Sequence, residues 1–182
     1  MKTLITLLLL SALVVPALTQ DEAAIVAAKA ACSRVPIGFE VKTDTTQHPT
    51  PKPDAGKALA YIIEDQREDR RPCIAGCSDP TGIAMDSAWI GANRGSSYFF
   101  FPVDPGMHHL CATWKKGGSR PQDRTSLLSF AAEAGATYYF RVKVIDLAPP
   151  TSFYSLDLEP VNADEGQLLV AVSPLSVSHE KK

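Results

Sequence analysis

Four side chains in this sequence have the ligand types of a structural zinc site: Cys73, Cys77, His108 and His109. Thiolate and neutral imidazole both bind zinc well. Their spacing works against convergence, because adjacent histidines on an extended strand project to opposite faces and an oxidising compartment turns paired thiols into a disulfide. A hydrolytic triad can be drawn from Ser96, Asp104 and His108, since triads are recognised by geometry and not by order. Composition alone supplies Ser, His and Asp to nearly every chain of this size, however. No G-x-S-x-G elbow, H-E-x-x-H helix, Walker loop, dinucleotide glycine pattern or C-x-x-C redox pair occurs. The sequence therefore predicts no enzyme, no metal and no cofactor; a zinc-dependent or hydrolytic enzyme ranks behind every non-catalytic reading.

The compartment is written in the first residues. Lys2 precedes an apolar run from Leu4 to Val15, interrupted only by Thr6 and Ser11, and small residues follow at Ala17 and Thr19. Residues 1–19 are expected to be a secretory signal peptide. The run is about twelve residues, short of the roughly twenty that a spanning helix needs, so no membrane span is predicted. The first cysteine is Cys32, too far on for a lipid anchor. Lys and Arg total 18 against 20 Asp and Glu. Removing Lys2 leaves 17 against 20, without the clustered basic face that nucleic acid or an anionic membrane surface requires. The densest charged run, Glu64 to Arg71, mixes both signs and is expected to be a solvated loop. The expected location is periplasmic or secreted.

Export also bears on the cysteines. Cys32, Cys73, Cys77 and Cys111 permit three pairings. On a strand from Met107 to Lys115, the residues His108, Leu110, Ala112 and Trp114 share one face, and His109, Cys111 and Thr113 share the other. The first set is the core face. Cys111 then points toward a segment lying outside the sheet, which the N-terminal stretch bearing Cys32 supplies. The predicted bridges are Cys32–Cys111 and Cys73–Cys77, the second closing a small loop around Gly76.

The elements that must position these groups are mostly strands. Asp21 to Ala31 is rich in alanine and predicts a short N-terminal helix. Phe39 to Thr43 alternates as a first strand, and His48 to Pro53 is a proline-rich linker of polyproline type. Ala58 to Glu64 is apolar on both faces and belongs in the centre of a sheet. Arg67 to Pro80 is a long polar loop, followed by a hairpin of Thr81–Met85 and Ala88–Gly91 about Asp86-Ser87. The aromatic run Tyr98 to Phe101 turns at Asp104-Pro105-Gly106 into the Met107 strand. A second loop, Lys115 to Arg124, precedes a strand with Leu128, Phe130 and Ala132 on one face. In Thr137 to Ile145, Tyr138, Phe140, Val142 and Val144 form a dry face and Tyr139, Arg141 and Lys143 a wet one. Phe153 to Leu158 is a further strand, with Tyr154, Leu156 and Leu158 inward. Asn162 and Glu165 have capping-box spacing, so Leu168, Leu169 and Val172 are the apolar face of a helix stopped by Pro174, or else Leu168 to Val172 is a final strand. Residues 176–182 are expected to fray.

Seven to nine short strands with turn signals between them predict an all-β fold, a single antiparallel β-sandwich. Residues 57–175 form its core, and residues 20–56 hold the N-terminal helix, the first strand and the linker. The order Lys57-Ala-Leu-Ala-Tyr-Ile-Ile, Ile83-Ala-Met-Asp-Ser-Ala-Trp-Ile-Gly91, Ser97-Tyr-Phe, Val103-Asp-Pro-Gly-Met-His-His-Leu110 and Gly135-Ala-Thr-Tyr-Tyr-Phe-Arg141 resembles the bacterial family called domain of unknown function 2846. The resemblance covers roughly Lys57 to Ser173. It implies an exported, envelope-associated sandwich of the prealbumin-like or surface-repeat kind and brings no catalytic residues; the lipoprotein signal common in that family is absent here. Two functions then compete, a module that binds an envelope protein or glycan and a purely structural envelope domain. An outward aromatic patch of Trp89 with Tyr139 would favour binding. His109, Arg70, Arg71, Lys115 and Lys116 are further candidate contacts, the last four on the two long loops, where binding residues concentrate. The sequence leaves the oligomeric state open.

Overall fold

A computed structural model describes Cys32 and residues 38–66, 80–114, 125–147 and 153–181. Among these residues ten strands and one helix follow in chain order. They are β1 Phe39–Asp44, β2 Ala58–Asp65, β3 Thr81–Met85, β4 Ala88–Asn93, β5 Tyr98–Val103, β6 Gly106–Trp114, β7 Thr125–Ala132, β8 Thr137–Leu147, β9 Phe153–Val161, α1 Ala163–Val172 and β10 Leu175–Glu180. One sheet has the order β1-β10-β5-β2-β8-β9 and the other β4-β3-β6-β7. The fold is all-β, with the two sheets packed face to face.

Side-chain alternation explains the layers. In β2 every residue is buried. Ala58, Ala60 and Ile62 meet Ile83, Leu110, Ala112 and Trp114 from the other sheet in the main core, while Leu59, Tyr61 and Ile63 face outward into a second apolar layer under α1. A strand can be apolar on both faces only when both are covered. The β3–β4 hairpin turns on Asp86 and Ser87, both at positive φ (50° and 72°), the conformation that a type I′ two-residue hairpin loop requires at both central positions. Asp104-Pro105-Gly106 does turn the chain, but it carries it from one sheet to the other: β5 pairs with β2 and β6 pairs with β3 and β7.

The sheets are also stitched along both sides. Leu158 N–H donates to Ser126 Oγ (2.9 Å) where β9 meets β7, and Ala92 N–H donates to Ser178 Oγ (3.0 Å) where β4 meets β10. Each serine satisfies an edge-strand amide that would otherwise be open to pairing with another chain.

Several expectations need correction. There are ten strands among the described residues, and the sheet is mixed: β2 pairs parallel with β8, and β10 parallel with β5. Residues 176–180, in the tail expected to fray, belong with Leu175 to β10, whose six-residue register with β1 supplies backbone partners that polar side chains do not reveal. Leu168–Val172 is helical, capped by Asn162 Oδ1 accepting from the Glu165 amide (2.9 Å). Its buried face is Gly166 and Leu169, however, while Leu168 and Val172 are exposed at 62% and 53%. Gly166, which weakens the helix by propensity, is required by packing, since a Cβ there would lie 2.2 Å from Tyr139 Cγ. The supposed wet face of β8 is half-buried: Tyr139 lies under Gly166, while Arg141 pairs with Glu165 and Lys143 with Glu159. Glu64 and Asp65, read as the start of a solvated loop, are buried at the end of β2. The N-terminal helix, the Tyr154 side chain and residues 67–79 and 115–124 lie outside the described residues.

Cys32 and Cys111 form a disulfide across a sequence separation of 79 residues. Cys111 is wholly buried beside Ala84, on the face of β6 opposite Trp114, as strand alternation requires. The Cys73–Cys77 pair lies outside the described residues. Among the described residues no helix is long and apolar enough to cross a membrane.

Candidate functional site

The outer face of the six-stranded sheet carries a row of aromatic rings. Register places Phe100 of β5 and Tyr139 of β8 on either side of Tyr61 of β2. The Tyr61 and Tyr139 rings stack with centroids 5.0 Å apart and planes at 15°, and Phe100 lies 5.5 Å from Tyr61. α1 crosses this row. Gly166 lets the helix backbone sit directly on Tyr139, and Leu169 is buried beneath it. The helix is pinned by Arg141, which donates to Glu159 of β9 and to Glu165 of α1, while Lys143 Nζ reaches Glu159 at 2.8 Å. Burial works against the Arg141 charge, but Glu159 and Glu165 outweigh it and hold the guanidinium above its ordinary range.

Between α1 and the extended His48–Pro51 segment the row opens into a cleft of about 420 Å³. Tyr61, Tyr139 and Thr137 line its floor, Gln167, Val170 and Ala171 its helical wall, and His48, Thr50 and Pro51 the opposite wall. This volume falls within the range of small-ligand sites, which are mostly apolar with a few placed polar groups. Burial first, and then the neighbouring Tyr139 and Tyr98 phenols, push Tyr61 up to about 12, so its hydroxyl stays neutral. The chain matches no protein-family model, no curated protein and no solved structure.

The residues singled out in the sequence are dispersed. Trp89 is half-buried, edge-on to Phe39 at 5.7 Å, on the four-stranded sheet; Tyr139 belongs to the other sheet, so they form no common patch. Arg70, Arg71, Lys115 and Lys116 lie outside the described residues. The strand ends that flank their two loops do lie together, with Thr81 paired to Trp114 and Thr113 to Thr125, but the cleft faces elsewhere, near the start of β8. His109 is half-buried, and its amide donates to Asp86 Oδ1 (2.9 Å).

His108 is held at both nitrogens, Nδ1 against Asp86 Oδ2 and Nε2 against the Asp104 carbonyl, each at 2.7 Å. Burial would lower its pKa, but these two acceptors outweigh that and raise it. An imidazole facing two acceptors offers a metal no lone pair. Ser96, the third member of the imagined triad, accepts from the Gln66 amide and precedes β5, whereas Asp104 follows it. The triad is therefore not assembled.

One ionisable group that the sequence hid is Glu64, fully buried between the sheets. Its Oε1 accepts from Gln66 Nε2 (2.8 Å) and Thr81 Oγ1 (3.1 Å), and Thr81 Oγ1 in turn accepts from Trp114 Nε1 (2.8 Å). Its Oε2 and the nearby Asn93 Oδ1 are buried without hydrogen-bond partners among the described residues. Desolvation pushes the carboxyl up to about 7, against the smaller opposing pull of Gln66 and Thr81. With its folded pKa above the unfolded value, the folded state holds the extra proton, so stability falls as pH rises from about 4.5 to about 7. Glu64→Gln replaces the carboxyl with a neutral group of the same shape. It should match the parent chain near pH 4 and exceed it by about 3 kcal/mol at pH 8, taking 1.36 kcal/mol per unit over the rise from 4.5 to about 7. Urea unfolding across that range checks this, and parallel pH profiles for the two proteins would refute it.

Proposed function

We propose that this chain is an exported, non-catalytic cell-envelope domain that binds a partner, protein or glycan, through the cleft beneath α1. The observation that carries the proposal is the cleft itself: an aromatic floor, a few uncharged polar groups and a helix held over it by Arg141. A domain with a merely structural role has no need of such a concavity. Export rests on the apparent signal peptide, and an oxidising destination accords with the Cys32–Cys111 bridge. Kinship with the domain of unknown function 2846 family, and a sandwich of prealbumin-like or Ig-like type, belong to the same proposal and are supported by the ordered motifs and by two sheets facing one core.

The test uses Ala171, an exposed helical residue on the cleft wall. Ala171→Trp should fill the cleft while leaving the unfolding midpoint unchanged, because helix propensity differs little and no core atom moves. Retention on isolated envelope fractions is expected to fall severalfold. Undiminished retention of the folded variant would favour the purely structural reading, to which the separation of Trp89 from Tyr139 already lends weight.

A further inference from the structure

We infer that the cleft beneath α1 takes an uncharged saccharide. The inference rests on the reading of the cleft as the contact surface and adds the chemistry of its ligand.

Among the described residues that line the cleft none is Asp, Glu, Lys or Arg. A ligand bearing a phosphate, sulfate or ammonium group would be desolvated there with no carboxylate, ammonium or guanidinium to face it, the His48 imidazole being the one basic group on the described lining, which is costly. The polar groups present are hydroxyls, an amide and an imidazole: Thr50, Thr137, the two tyrosines, Gln167 and His48. Each can both donate and accept, as can every sugar hydroxyl, so a saccharide can exchange its water hydrogen bonds for protein ones without leaving either side unpaired. The aromatic floor suits the same ligand, because a pyranose presents an apolar C–H face and a polar rim, and Tyr61 and Tyr139 present an apolar body with a polar tip.

Peptides fit less well. Adding a strand needs a free sheet edge, and β2 is flanked on both sides by β5 and β8. A proline-rich peptide docks against aromatic rings, but here the chain's own Pro51 already forms one wall. A purely apolar ligand would leave the threonines and Gln167 unpaired.

The mature protein is titrated with neutral disaccharides (maltose, cellobiose, N,N′-diacetylchitobiose), with a sulfated heparin disaccharide and with a hexaproline peptide, and chemical shifts are followed by NMR. One neutral disaccharide should bind saturably, with its Kd changing less than about twofold between 0.01 and 1 M salt, since no ion pair is screened. Gln167→Ala should weaken binding about tenfold, and Ala171→Trp should abolish it. Binding of only the sulfated sugar or the peptide, lost in Ala171→Trp, would overturn the saccharide class and keep the cleft. Saccharide binding that Ala171→Trp leaves intact would overturn both. If no probe binds, the neutral-saccharide assignment falls; envelope retention that still depends on Ala171 would then preserve the cleft as the contact surface.

Discussion

Trp114→Ala should destabilise the protein by about 3–5 kcal/mol, the range for emptying a buried aromatic site in a packed core. Trp114 is only 5% exposed, on the core face of β6 with Leu110 and Ala112. Its indole also donates to Thr81 Oγ1, which is hydrogen-bonded to the buried Glu64. Truncation thus removes packing and loosens a polar chain in a low-dielectric setting. Phe140→Ala should cost a similar amount, because Phe140 is 1% exposed in the same core and lies 4.7 Å from Phe130. Denaturant unfolding measures both. A midpoint unchanged in either variant would mean that the strand's inward face has been misassigned.

Replacing both Cys32 and Cys111 with alanine should cost roughly 3–4 kcal/mol, because a bridge spanning 79 residues removes a large share of the unfolded chain's freedom. Alanine at position 111 avoids burying a hydroxyl without a partner. Peptide mapping under non-reducing conditions should recover Cys32 joined to Cys111, and Cys73 to Cys77. A Cys32–Cys73 or Cys73–Cys111 peptide would contradict both bridges.

Local patterns in the sequence carried the strands and the face of each. β2, β3, β4, β6 and β7 fall where alternation and turn residues place them, and the outward aim of Cys111 follows from counting along β6. What could not be read locally is which strands are neighbours. The parallel pairing of β2 with β8 joins segments nearly eighty residues apart, and that pairing alone brings Tyr61 and Tyr139 together. Tyr61 looks in sequence like one more core residue, and His48–Pro53 like a linker, so the cleft was illegible. Gly166 misled for a related reason: propensity is a local quantity, whereas its use here is the closeness of a ring on another strand. Glu64 reads in sequence with the charges that follow it, although strand pairing with Val142 carries it into the core.

The pairing of β1 with β10 has a consequence in time. The register joins Phe39 to Glu180 and Asp44 to Leu175, and among the described residues β1 has no other ladder partner. During synthesis β1 must therefore wait, unpaired, until residues beyond 174 have emerged, and so must the far side of the six-stranded sheet. Closing such distant contacts is slow, because the entropy of a long loop is lost before any contact repays it. A chain exported in the way proposed would profit from that delay, since a polypeptide that cannot complete its sheet until residues 175–180 are available remains threadable until then.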